Sequence, residues 1–317
     1  MSWYIWHNRM RGSEPTGVAT MDASDLKVFE AVARLGGIGR AALELNTVQS
    51  NVTARVRLLE QELATPLFDR HARGVTLTAA GRRLLPYASE VRDVLARARR
   101  AAMDDGTPKG PLAIGTLETT VATRLPRIIA AYAAAWPAVD LTLRTGTTAE
   151  SVTRVLEREL DGAFVAGPVD HADLAQDTVF REELVVVTAP AIQELLDIGR
   201  AGALKMLVLR VGCSYRQRLE TILVSRGIVD VRALEFGSLD AIVGCVSAGI
   251  GITLLPRGIV ADAARSGEVA LHALPPDEAT VDTQFIRRRD GYVTSALSAF
   301  MDMARARSSL TMQAAAE

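Results

Sequence analysis

Apolar residues recur every three or four positions through the first third of the chain. Beyond it they gather in short runs, so the two parts predict different structures. In residues 25–35, Leu26, Phe29, Val32 and Ala33 share one helical face, and Gly36-Gly37 ends the pattern. Residues 40–45 make a short second helix, Asn46 interrupts, and Thr47 is placed to N-cap a third helix reaching about Leu63. Val48, Val52, Val56 and Leu59 form the inner stripe of that helix. After Pro66 and the apolar pair Leu67-Phe68, HARGVTLT alternates around a glycine as a small hairpin does. Thr78 then caps a long helix over 79–103, which Pro86 is expected to kink or to deprive of its first turns. Its later part, EVRDVLARARRA, sets Val91, Val94, Leu95 and Ala98 on one face, as a dimerising helix would.

DDGTPKG, residues 104–110, reads as a linker, after which the pattern changes. Strand-like runs (LAIGT, VDLTLRT, GAFVAG, LVVVTA, LVLRVG, GITLLP) alternate with helical ones (LPRIIAAYAAAW, SVTRVLERE, RQRLETILVSR, LDAIVGCVSAG). That alternation predicts βαβ units with mostly parallel sheets, and about 200 residues is room for two lobes. The expected organisation is an unstructured extension over 1–20, a helical domain with a hairpin over 21–80 and the long helix over 81–103. The linker at 104–110, an α/β domain over 111–306 and a tail over 307–317 complete it.

Composition narrows the function classes. With 317 residues, 49% of them hydrophobic and 23% charged, the chain has the make-up of a water-soluble two-core protein. It holds no run of the roughly 20 apolar residues that span a bilayer and no signal-peptide core. Two cysteines, Cys213 and Cys245, make no disulfide framework and fit a reducing cytoplasm. Four scattered histidines offer no metal-ligand spacing, and no GxSxG, P-loop or strand-GxGxxG is present, so neither catalysis, a metal nor a cofactor is expected. The net charge of −1 conceals an asymmetry: residues 1–110 hold 16 Lys/Arg against 12 Asp/Glu, and the remainder 20 against 25. A basic front on an acidic back suits phosphate contact at the front, although solvated helices carry similar charge.

The candidate chemistry of the front lies in the third helix. Opposite its apolar stripe stand Gln49, Ser50, Asn51, Thr53, Arg55 and Arg57, with Thr47 at its head and Arg73 in the hairpin tip. Gln and Asn pair in two places with adenine and Arg with guanine, while hydroxyls and helix-head amides suit phosphate. A solvated amphipathic helix presents a similar face, and the hairpin and long helix behind it shift the balance toward double-stranded DNA. The segment AALELNTVQSNVTARVRLLEQELATPLFDR followed by RGVTLTAAG resembles, in order and spacing, the DNA-binding end of the LysR-type transcriptional regulators. The layout extends the resemblance from about Met21 to about Ala306. Gly37-Ile38-Gly39 departs from it where the family has a Ser-aromatic pair. The resemblance implies a winged helix-turn-helix with a linker helix, then a two-lobed α/β effector domain like type 2 periplasmic binding proteins. It also implies homodimers or homotetramers on an interrupted palindrome, with RNA polymerase as a further partner.

In the rear domain, candidate ligand groups collect where strands end, on the rim at which open α/β sheets bind. Thr116, Glu118, Thr119 and Thr120 follow the first strand, and Thr147 and Gly167 end the next two. Cys213, Ser214 and Arg216 meet a helix in the second lobe, and Ser238 repeats the arrangement. Converging hydroxyls and amides suit an anion, so a carboxylate or an amino acid is the expected effector. Helix capping would use the same hydroxyls, and a surface ion pair the same arginine. Cys245 sits in the apolar run AIVGCVSAGI and reads as core, which leaves little for a redox pair with Cys213. GSLDAIVGCVSAGIGITLLPR with GCSYRQRLE resembles the branch of the family that includes the glutamate-synthase regulator. An exported solute-binding protein would share the rear domain alone, and an architectural DNA protein would bind no effector.

Overall fold

A computed structural model describes residues 21–71, 74–192, 204–210 and 212–314, with side chains to 307. The chain divides into two compact units, Met1–Met103 and Asp104–Glu317. The expected unstructured extension over 1–20 lies outside the described residues.

In the first unit, α1 (Ala23–Leu35) starts where the Asp22 carboxylate accepts the Asp25 N–H at 2.8 Å and stops at Gly36, whose φ of 63° suits a residue without Cβ. Next, α2 (Ile38–Glu44) turns at Asn46, also left-handed, into α3 (Gln49–Glu62). The hairpin pairs β1 (Phe68–His71) with β2 (Gly74–Leu77) in antiparallel register, and α4 (Ala79–Ala102) follows. As expected, Thr78 caps α4, accepting the Gly81 N–H at 3.0 Å. Pro86 neither splits nor ends α4: Ala88 is fully buried, and Leu84, Leu85 and Val91 pack with it on the core of α1 and α3, which holds the helix through the missing donor. Glu30, buried in α1, anchors Arg34 of its own helix and Arg92 of α4, so a charged joint fixes the long helix to the bundle.

In the second unit, β3 (Gly110–Thr116) lies between β4 (Val139–Thr145) and β5 (Gly162–Ala166), all parallel. The helices α5 (Glu118–Thr123), α6 (Leu125–Ala135) and α7 (Thr148–Leu156) connect them. The expectation of mostly parallel sheets fails beyond this point. β6 (Leu174–Thr188) and a late strand over Thr280–Arg288 run antiparallel, and β6 continues past its partner into a second lobe. There β7 (Leu204–Val208) pairs parallel with β8 (Val231–Glu235), flanked by α8 (Ser214–Ser225) and α9 (Leu239–Ser247). β9 (Thr253–Pro256) and β10 (Ala270–Ala273) pair antiparallel with the far half of β6, and α10 (Arg257–Arg265) joins them. After the short α11 (Pro276–Ala279), the late strand is β11, and it returns the chain to the first lobe between β5 and β6. α12 (Ser295–Ala314) closes that lobe, with the Tyr132 hydroxyl donating to Ala296 O at 2.8 Å, and it runs past the expected end at 306. Separate apolar clusters fill each lobe, centred on Phe164, Phe285 and Phe300 in the first and on Val187, Leu207 and Val246 in the second. Among the described residues, no helix is long and apolar enough to cross a membrane.

Candidate DNA-reading face and effector cleft

The inner stripe of α3 is Val52, Val56 and Leu59, all buried, spaced so that three turns of helix present one face to α1 and α2. Its outer face exposes Gln49, Ser50, Asn51 and Arg57, with Thr53 half-buried at the edge. Two details differ from expectation. Val48, placed in the stripe by spacing, is 65% exposed and is itself the N-cap residue, with no side-chain cap hydrogen bond. Thr47 therefore does not cap α3. Its hydroxyl accepts from Asn51 Nδ2 at 2.9 Å instead, tying Asn51 down.

Arg55 is the larger correction. Its guanidinium turns back to α1, donating to Ser24 Oγ at 2.7 Å and to Asp25 Oδ1 at 3.0 Å, where Asp25 is buried. An arginine held by a buried carboxylate is a strut between α1 and α3 and leaves the outer face to the others. The Gln49 amide lies over Gly39, where an added Cβ would stand 3.1 Å from Nε2, so the glycine at this departure from the family pattern makes room for Gln49. Glu60 steadies the hairpin base by accepting the Leu67 and Phe68 N–H groups at 2.8 and 3.2 Å. Arg73 lies outside the described residues.

In the second unit, a cleft opens between the lobes. Leu117, Glu118, Thr119, Gly146 and Thr147 form its wall on the first lobe. Leu209, Arg210, Cys213, Ser214, Tyr215, Phe236 and Gly237 form the wall on the second. Of the candidates read from sequence, Glu118, Thr119, Thr147, Cys213 and Ser214 are thus brought together. The others are not. Thr116 is buried and donates to Leu117 O, Thr120 is buried, and Gly167 is covered by the Gln284 side chain. Ser238 caps α9 by accepting the Ala241 N–H. Arg216 is paired with Glu220 at 3.1 Å and Glu235 at 2.7 Å, the surface fate of such an arginine.

Arg210, Leu209 and Phe236 were missed. Arg210 follows the C-terminal end of β7, on the rim where strand ends converge, and that position was the available signal. It is exposed and has no ion-pair partner among the described residues. Thr147 caps α7 in a reciprocal box with Glu150, which presents it rigidly to the cleft. Burial pushes the Tyr215 phenol up to about 12, with a hydrogen bond to Thr119 of the opposite lobe acting in the other direction. Burial likewise raises the Cys213 thiol, against the pull of the Tyr215 and Arg216 N–H groups, so it is a neutral lining group. Cys245 packs at the edge of the second-lobe core.

Residues 23–82 match the family described as bacterial regulatory helix-turn-helix protein, lysR family, and residues 105–309 match the LysR substrate binding domain. The transcriptional regulator GltR of Bacillus subtilis is 45% identical over 281 residues, 89% of this chain and 95% of its own. CzcR of Bacillus anthracis is 41% identical over 281 residues, 89% of this chain and 96% of its own. Full-length CbnR in complex with its target DNA has the same fold, with a TM-score of 0.60 at 23% identity, covering 91% of this chain and all of CbnR. Full-length OxyR from Pseudomonas aeruginosa aligns with a TM-score of 0.59 at 21% identity, covering 91% and 94%. The chain belongs to the LysR family of bacterial transcriptional regulators, with a helix-turn-helix DNA-binding domain followed by an effector-binding domain.

Proposed function

We propose that this regulator answers to a small zwitterionic or carboxylate effector, an amino acid foremost, held in the cleft of the second unit. The observation that carries this reading is the pair Arg210 and Glu118, on opposite walls of one cleft with Thr119, Thr147 and Ser214 beside them. A carboxylate is matched by the guanidinium and an ammonium by the Glu118 carboxylate, so such a ligand bridges the lobes and favours their closure. Leu117, Leu209 and Phe236 supply an apolar wall for its side chain. On the DNA, α3 enters the major groove with Gln49, Ser50 and Arg57 toward bases or phosphates, and Thr47, Asn51 and Thr53 at the margin. The exposed Val94 and Leu95 of α4 pair two copies, whose α3 helices then reach successive grooves. The protein works in the cytoplasm, where RNA polymerase is the further partner.

A thermal-shift panel of amino acids and small carboxylates tests the effector reading on the full chain. At least one is expected to raise the melting temperature, and Arg210→Ala is expected to abolish the rise while the free protein melts as before. A flat panel, or a rise that survives Arg210→Ala unchanged, rules the assignment out.

A further inference from the structure

We propose that Val48, at the head of α3, reads the 5-methyl group of a thymine. The inference rests on the reading that α3 enters the major groove. A residue at a helix N-cap ordinarily supplies a side-chain oxygen for an unpaired N–H of the first turn, and valine has none. Among the described residues no side chain makes good the loss, and Thr47 turns its hydroxyl to Asn51. Nor does Val48 serve the core: it is 65% exposed, whereas Val52, one turn on, is fully buried. An apolar side chain that neither caps nor packs, flanked by the exposed Gln49 and Ser50, breaks two local rules at the point where recognition helices meet base edges. Thymine is the base that offers an apolar group in the major groove, and its methyl is recognised by apolar contact. A β-branched side chain is restricted at χ1, so the Val48 methyls have few positions to choose among before DNA arrives.

The test begins with the full chain and a binding site selected from random duplexes. Each thymine of that site is then replaced singly by dU, which removes only the methyl, and affinity is compared among wild type, Val48→Ala and Val48→Ser. Serine restores a capping oxygen, so Val48→Ser is expected to melt no lower than wild type. At one thymine position, dU is expected to weaken wild-type binding about fourfold, the worth of one buried methyl. Both variants should be indifferent to dU at that position alone. A penalty that is the same in wild type and Val48→Ala at every position, or no penalty anywhere, overturns the proposal. If Gln49→Ala and Arg57→Ala also leave affinity unchanged, the docking of α3 falls with it. If they weaken binding, the assignment of Val48 alone is wrong.

Discussion

Arg55 and Arg57 stand two residues apart on one helix and have opposite fates, because a turn of about 100° per residue sends one back to Asp25 and the other into solvent. The two substitutions should therefore separate. Arg55→Ala removes a strut to a buried carboxylate, partly screened by water, and is expected to lower stability by about 1 kcal/mol with little change in sequence preference. Arg57→Ala and Gln49→Ala are expected to leave the melting temperature alone and weaken DNA binding by about 1–3 kcal/mol each. Denaturation and binding isotherms at fixed salt distinguish them, and a loss of specificity in Arg55→Ala without loss of stability would reverse the assignment. Periodicity placed Arg55 on the polar side of α3 correctly, yet periodicity carries no information about what lies across that side. The buried Asp25 does, and it belongs to another helix.

At the scale of elements, the linker is more than a spacer. Asp104 accepts the Ser295 N–H at 2.7 Å, binds the Ser295 hydroxyl and accepts from the Tyr292 hydroxyl at 3.3 Å, so it satisfies a donor at the head of α12. The Ser295 hydrogen bonds hold its carboxyl at about 2, below the ordinary 3.8. A depressed carboxyl stabilises the fold above the ordinary value, and that contribution is lost as pH falls from about 4 through about 2. Ser295→Ala is expected to move the Asp104 titration, followed by carboxyl carbon NMR, upward toward the ordinary value. An unmoved titration would show that another group sets it. This joint was not legible, because a DDGTPKG stretch has the composition of any flexible turn and its partner is 191 residues away. The hairpin and the cap at Thr78 were legible, since strand alternation and capping act within a few residues.

For the second unit as a whole, the decisive feature is that β6 and β11 pair with each other in the first lobe while β6 continues into the sheet of the second. Strands that cross between lobes keep the base of the cleft hydrogen-bonded, as the proposed closure of its walls on an effector requires. Gly212 touches the opposite wall of that cleft: its φ is +94°, and an added Cβ would stand 2.9 Å from Thr147 Oγ1. Gly212→Ala is expected to keep the lobes from meeting there, because the backbone is strained for alanine and the methyl collides. Effector affinity should fall about tenfold with a smaller loss in the melting temperature of the free protein. An effector titration with an unchanged midpoint would mean the lobes do not close on the ligand at this contact.

The sequence by itself determined the helices of the first unit, the buried stripe Val52, Val56 and Leu59, the hairpin and the strand ends where the cleft forms. Each of these is set by a period or a cap spanning a handful of residues, together with a resemblance that the family matches uphold. Only the tertiary structure decided that Val48 faces out and Arg55 faces in, and that Arg210 stands open while Arg216 is paired. The same holds for the antiparallel course of β6 and β11. β6 opens with LAQDTVFREE and β11 reads TVDTQFIRR, charged enough to pass for loops until their partners cover the alternate residues. Which groups are covered depends on contacts made far along the chain, and no local pattern records them.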